Sequence, residues 1–243
     1  MHVVAVAGHP LRLVDACEAA GLGCDRHESL AVLRAAHLVR TRGESLEDLV
    51  EAYHDRVREA VVRRLAAEMV VDCHRRLART LKRSGRADAA ELAAHFAAAG
   101  DNGQASLHYL AAAEQAAEAL AFDYAARLYQ LAFDLATPVG TEACNLRTRL
   151  GDALANAGRS AEAAEQYLIA AQGLEASHCL ELQRRAAMHF LMSGHIQRGH
   201  AVLRNVLATV RMNLPRGAKS AIVSLVLRRS VLRLRVSAHG RQG

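Results

Sequence analysis

The chain is 243 residues long, 51% hydrophobic and 23% charged, with 4% aromatics and no tryptophan. That balance excludes wholesale disorder, and with only three prolines (Pro10, Pro138, Pro215) the expected fold is all-α with a minor β hairpin. The net charge of +6 is uneven: residues 1–86 carry 15 Lys or Arg against 12 Asp or Glu, residues 87–181 carry 4 against 13, and residues 182–243 carry 12 and no acid. This excludes an evenly basic nucleic-acid binder and suggests separate structural zones.

The chain begins with a stretch, Met1 to Pro10, that has no basic region and too short an apolar run for a signal peptide. No run reaches the roughly 18 apolar residues of a membrane span. The five cysteines (Cys17, Cys24, Cys73, Cys144, Cys179) are odd in number and widely spaced. They read as reduced thiols, and the expected location is cytoplasmic.

Residues 1–66 form the first expected unit. Leu11–Ala20 and Glu28–Ala36 are short helical patterns separated by Gly21 and Gly23. Leu38–Thr41 and Val50–Tyr53 flank a polar turn and read as a hairpin. From Asp55 a helical pattern returns, with Val57, Ala60, Val61 and Leu65 on one face. Helix, helix, hairpin, helix is the order of a winged-helix module, here with its first helix incomplete. The segment 67–100 is expected to hold connecting helices, including one near Glu68–Lys82, followed by Ser84-Gly85-Arg86.

Residues 101–212 carry a repeated spacing: a small residue, a large one four positions on, and a small apolar residue three further. Ala105, Tyr109, Ala112 fits, as do Ala125, Tyr129, Ala132 and Ala163, Tyr167, Ala170; Gly199, Leu203, Val206 is a looser version. Gly100, Gly158 and Gly194 each stand five residues before the small residue. This spacing predicts helix pairs at about 103–119 with 122–136, 141–157 with 160–174, and 179–193 with 196–210. Pro138 and Gly140 mark a break between the first two pairs. The residues resemble tetratricopeptide (TPR) repeats, with Leu150-Gly151 through Gly158, Ala163, Tyr167 and Ala170 the best copy. The alternative is a generic antiparallel bundle.

Residues 213–243 form a basic C-terminal connector. Its Arg228, Arg229, Arg233 and Arg235 lie in a Val/Leu-rich run, which reads as a buried connecting helix in preference to a membrane-surface one. The candidate recognition helix of the first unit offers only Arg26 and Arg34, beside Asp25 and Glu28. That argues against DNA as a partner.

Catalytic motifs are not found. A phosphate-binding loop needs two glycines flanking four residues, then Lys and Ser or Thr. Lys82 precedes Arg83, and Lys219-Ser220 follows Pro215-Arg216-Gly217-Ala218 without the required glycines. His54-Asp55-Arg56 is not a kinase catalytic loop, Gly21-Leu22-Gly23 is short of a dinucleotide fingerprint, and His178-Cys179 has no second pair at metal-ligand spacing. The expectation is no enzyme activity, no cofactor and no metal.

Read in order, Ala36–Arg40, Tyr53–Val61, Cys73–Ala78, Glu91–Phe96, Ala99–Asp101, Ala121–Tyr129, Ala201–Leu203 and Leu214–Arg216 form a series. It resembles the winged-helix and TPR-like arm region of bacterial STAND-type AAA ATPases, many of which carry a serine/threonine kinase domain. The resemblance implies a non-catalytic scaffold or regulatory arm of a signal-transducing ATPase or ATPase-kinase. Its partner would be another protein or the ATPase domain, which this chain lacks. It also implies that His54 and Asp55 lie near a nucleotide bound to that domain, His54 donating to a phosphate and Asp55 capping a helix start; in this chain by itself the favoured reading is that Asp55 only caps and His54 is an exposed loop residue. The alternatives are a free-standing TPR adaptor, or a chain whose kinase and ATP-binding activities belong to its parent family.

Overall fold

The computed structural model describes residues 1–22, 26–43, 48–172 and 176–212, with 222, 223, 225–227 and 229. The described residues form twelve helices and three short strands, so the chain is mostly helical with a small sheet. The expected connector at 213–243, with Arg228, Arg233 and Arg235, lies outside the described residues apart from the positions just named, as does Cys24. No described helix is long and apolar enough to cross a membrane.

The first unit opens with α1 (His2–Ala7), a single apolar turn and a half whose Val3, Val4, Ala5 and Val6 are all buried. Gly8 ends it at φ 79°, a left-handed conformation that costs glycine nothing. The helix expected from Leu11 starts two residues late. Leu11–Arg12 form strand β1, and α2 runs over Leu13–Ala20. The reason is a long-range one, since Leu11 pairs with Val50 and Arg12 with Leu49.

The expected hairpin is present as β2 (Val39–Arg42) and β3 (Leu49–Ala52), after α3 (Arg26–Ala35). The sheet order is β1-β3-β2, antiparallel throughout. Strand alternation sets the two faces. Val39 and Val50 point into the core at 2% and 1% exposure, while Arg40 reaches across the outer face to Glu51 at 2.9 Å.

Helix α4 (Asp55–Arg64) follows as expected, yet none of its residues is buried. Leu65 packs against the core as expected, but Ala60, expected on the same face, is exposed, and Val62 packs against the core in its place. Helix α5 (Ala67–Ser84) is strongly amphipathic, burying Cys73, Leu77, Ala78 and Leu81. Gly85 terminates it at φ 64°.

Helices α6 (Ala89–Ala98), α7 (Asn102–Glu118), α8 (Phe122–Ala136), α9 (Gly140–Asn156), α10 (Ser160–Ala171), α11 (Ala176–Met192) and α12 (Ile196–Thr209) then pack in sequence, each against the next. The expected helix ends agree within one to three residues. Two cores result. One gathers α1, α2, the strands, α5 and the Leu92, Phe96 face of α6. The other runs from Ala90 of α6 to Phe190 of α11 and is rich in alanine, which lets helix backbones approach closely.

Candidate functional site

The arm is built from one local device used four times. At the α6–α7 turn, Gly100 N–H donates to Ala97 O at 3.0 Å and Asp101 N–H to Phe96 O at 2.9 Å. The α9–α10 turn repeats the pair with Gly158 to Ala155 (3.1 Å) and Arg159 to Leu154 (2.9 Å). The α11–α12 turn repeats it with Gly194 to Leu191 (3.2 Å) and His195 to Phe190 (2.8 Å). These are Schellman caps, which satisfy the last carbonyls of a helix and require a left-handed residue. The three glycines have φ of 79°, 79° and 82°. The α7–α8 turn makes the same bonds, Leu120 to Ala117 and Ala121 to Ala116, but with a leucine at φ 60°.

Each turn delivers a small residue, five positions on, to the crossing of two helices. Ala105, Ala125 and Ala163 are each 0% exposed. Ala112, Ala125, Tyr129, Ala132, Ala163, Tyr167 and Ala170 share the arm core, with Tyr109 packed at its edge. Ala105 falls instead in the core of the first unit. Gly151 is required by its neighbour: a Cβ there would stand 2.7 Å from Tyr167 Cε1. Gly199 is required likewise, its Cβ falling 2.7 Å from Leu191 Cγ.

Tyr167 also anchors a polar network across three helices. Its hydroxyl donates to Asp152 Oδ1 at 2.7 Å, and Arg185 Nη1 donates to the same oxygen at 3.0 Å. Burial, reinforced by Asp152, raises the Tyr167 pKa, so the phenol stays a donor. Arg198 pairs with Glu165 at 2.6 Å, tying α12 to α10.

His54 and Asp55 stand apart from the arm. His54, not Asp55, occupies the cap position of α4, and no side-chain cap hydrogen bond is made. The expected capping by Asp55 is therefore absent: Asp55 is the first helical residue, its side chain 94% exposed and 3.9 Å from Arg58. It lies where a carboxylate complements the helix dipole. The exposed His54 ring packs edge-on against Tyr53, centroids 4.7 Å apart.

A second cluster was not anticipated from the sequence. His9 (between α1 and β1), His74 (α5), and Glu91 and His95 (α6) converge where the first unit meets the arm. One ligand-capable atom from each of His9, Glu91 and His95 lies within 4.8 Å of the other two. His9 Nε2 is 3.0 Å from Glu91 Oε1, but off the axis of a hydrogen bond, so this buried nitrogen has no hydrogen-bond partner. His9 Nδ1 is 3.1 Å from the Pro10 carbonyl. His95, 4% exposed, sets its Nδ1 2.9 Å from His74 Nδ1 and leaves its Nε2 buried without a partner.

The titration behaviour follows the geometry. Contact with the Glu91 carboxylate raises the His9 pKa against burial and lowers that of Glu91. Burial, with the neighbouring histidines, pushes His95 down to about 4, and burial lowers His74. The one sequence signal that pointed here is the i, i+4 spacing of Glu91 and His95 on a helix face. The other two residues are distant in sequence.

No family model and no curated protein matches the chain. Among solved structures, the crystal structure of BtubC (BKLC) from P. vanneervenii is similar at 14% identity and a TM-score of 0.38, over 80% of each chain. A likeness at that level carries no argument about what this chain does.

Proposed function

We propose that this chain is a non-catalytic scaffold, a winged-helix-like hinge joined to a TPR-like arm. It acts by engaging a protein partner or the nucleotide-binding domain of a STAND-type ATPase. The observation that carries the reading is the repeated turn: four helix-to-helix turns closed by the same two backbone hydrogen bonds. Small residues then stand at matching positions of the following helices. A helix pair of this kind cannot bury its apolar face alone, so the pairs stack into an extended surface. Exposed apolar side chains along it, including Leu107, Leu131, Ile169 and Met192, suit protein docking. The order α1-β1-α2-α3-β2-β3 with sheet order β1-β3-β2 supports the winged-helix part.

The test is a fusion of this chain to the ATPase domain of a STAND protein. In the chain alone, His54→Ala changes stability by less than about 0.5 kcal/mol, because His54 is an exposed surface residue. In the fusion, loss of a hydrogen bond to a charged phosphate costs roughly 1.5–3 kcal/mol of ADP binding, about ten- to hundredfold in affinity. Unchanged ADP affinity and unchanged basal ATPase activity would reduce the His54-Asp55 resemblance to a helix start and remove the ATPase partner from the reading.

A further inference from the structure

We propose that His9, Glu91 and His95 form a binding site for a divalent transition-metal ion, Zn(II) by the chemistry of its ligands, that clasps the first unit to the arm. The site does not depend on the scaffold reading. Its case begins with tautomers. His9 Nδ1 faces the Pro10 carbonyl at 3.1 Å, and a carbonyl only accepts, so Nδ1 carries the proton and the neutral ring keeps its lone pair on Nε2. That nitrogen lies 3.0 Å from a carboxylate oxygen placed off its lone-pair axis. Two electron-rich atoms so close call for a cation beside both, either a second proton on His9 or a metal ion.

His95 supplies the independent observation. The two Nδ1 atoms of His74 and His95 are 2.9 Å apart, so one donates and one accepts. If His74 donated, the neutral His95 would carry its proton on the buried Nε2, where nothing accepts it. A buried donor left unsatisfied costs about 1–3 kcal/mol. With His95 Nδ1–H donating to His74 instead, the unpaired group on the buried Nε2 is a lone pair, which also costs when left empty but which a bound cation satisfies. This is the arrangement of a metal-ligating histidine, whose other ring nitrogen is fixed by a hydrogen bond outside the ligand shell. His74 is then a positioning residue.

Two imidazoles and one carboxylate suit borderline cations, and a two-His, one-Glu set with an open fourth position is a recurring zinc arrangement. Zinc–ligand distances of about 2.0–2.2 Å require the ligand atoms to draw together by side-chain rotation, from a starting point in which one such atom of each residue is within 4.8 Å of the others. His9 and Glu91, only partly buried, are the side chains that would turn. Because His9 belongs to the first unit and Glu91 and His95 to α6, a bound ion would fix the angle between them, and metal supply would set the stiffness of the hinge.

The experiment uses the full chain, stripped with chelator and titrated with Zn(II) by calorimetry, with Co(II) absorption as a report on coordination. The expected result is one Zn(II) per chain, a tetrahedral Co(II) spectrum and a raised melting temperature. His9→Gln and Glu91→Gln should each weaken binding at least tenfold while the far-UV spectrum keeps its helical form. His74→Leu should weaken it by about tenfold, as loss of an outer partner does. His95→Gln should abolish it, and because His95 is buried the two half-exposed variants decide the matter if that one unfolds. No stoichiometric Zn(II), or Zn(II) bound equally by His9→Gln and Glu91→Gln, overturns the proposal, the second result meaning adventitious capture by surface histidines.

Discussion

The arm and the first unit are both held by buried apolar contacts, yet they are assembled by opposite rules. In the arm every helix packs on its neighbour in sequence, and a three-residue turn with a left-handed residue sets four of the reversals. In the first unit the decisive contacts join distant residues: β1 pairs with β3, α1 packs on α4 and α5, and His9 meets Glu91. Local assembly pays little loop-closure entropy, whereas non-local assembly has to bring distant segments together. Alanine dominates the arm core, where helix backbones approach closely around the buried Tyr167 and Phe190, while valine and leucine dominate the other.

The largest expected effect tests whether the two regions are separate at all. Leu77 of α5 is 0% exposed, and Leu77→Ala should cost about 2–5 kcal/mol. Helix α6 serves both cores, with Leu92 and Phe96 in one and Ala90 in the other. The loss should therefore be felt through a single cooperative transition. A melt of Leu77→Ala that splits into two steps, the arm retaining its own midpoint, would make the regions independent domains.

The next effect probes the register of the arm. Ala163 is 0% exposed inside the arm core, whereas Ala161 is only partly buried. A phenylalanine at 163 has to displace helix backbone and should cost roughly 1–3 kcal/mol or more. Ala161→Phe should cost clearly less. Equal melting temperatures for the two variants would remove the assignment of Ala163 to the close-packed position.

These two regions also mark what the sequence could and could not disclose. The arm was legible because its information is local: Gly100, Gly158 and Gly194 announce left-handed turns, and the small residues five positions later announce close helix crossings. Strand β1 was not, because Leu11 and Arg12 become a strand only through their partners Val50 and Leu49. In isolation they continue the helical pattern of α2. The His9, His74, Glu91, His95 cluster was hidden for the same reason, each side chain arriving from a separate part of the fold. The helix start at Asp55 is legible in the pattern, but the cap role expected of Asp55 depends on a side-chain orientation that the pattern does not encode.

The smallest effect has the opposite sign and singles out one turn among four. Leu120 sits where the other three turns have glycine, with φ 60° and 71% of its surface exposed. The left-handed region costs an L-residue roughly 1–2 kcal/mol that glycine is spared, while glycine's greater unfolded-state entropy takes back up to about 1 kcal/mol. Little apolar burial is lost with so exposed a side chain. Leu120→Gly should therefore stabilise the chain by about 0.5–1 kcal/mol, a rise of roughly 1–4 °C in melting temperature for a chain of this size. The reciprocal change, Gly158→Leu, should destabilise by a comparable amount, since Gly158 has φ 79° and nothing near its Cβ position to compensate. If Leu120→Gly instead lowers the melting temperature, the four turns are not energetically equivalent, and the α7–α8 pair is held by a contact of the leucine side chain that outweighs its backbone strain. If stability rises but binding of a partner protein falls, Leu120 is retained for its exposed side chain, and the turn that breaks the glycine pattern marks a point of contact on the arm.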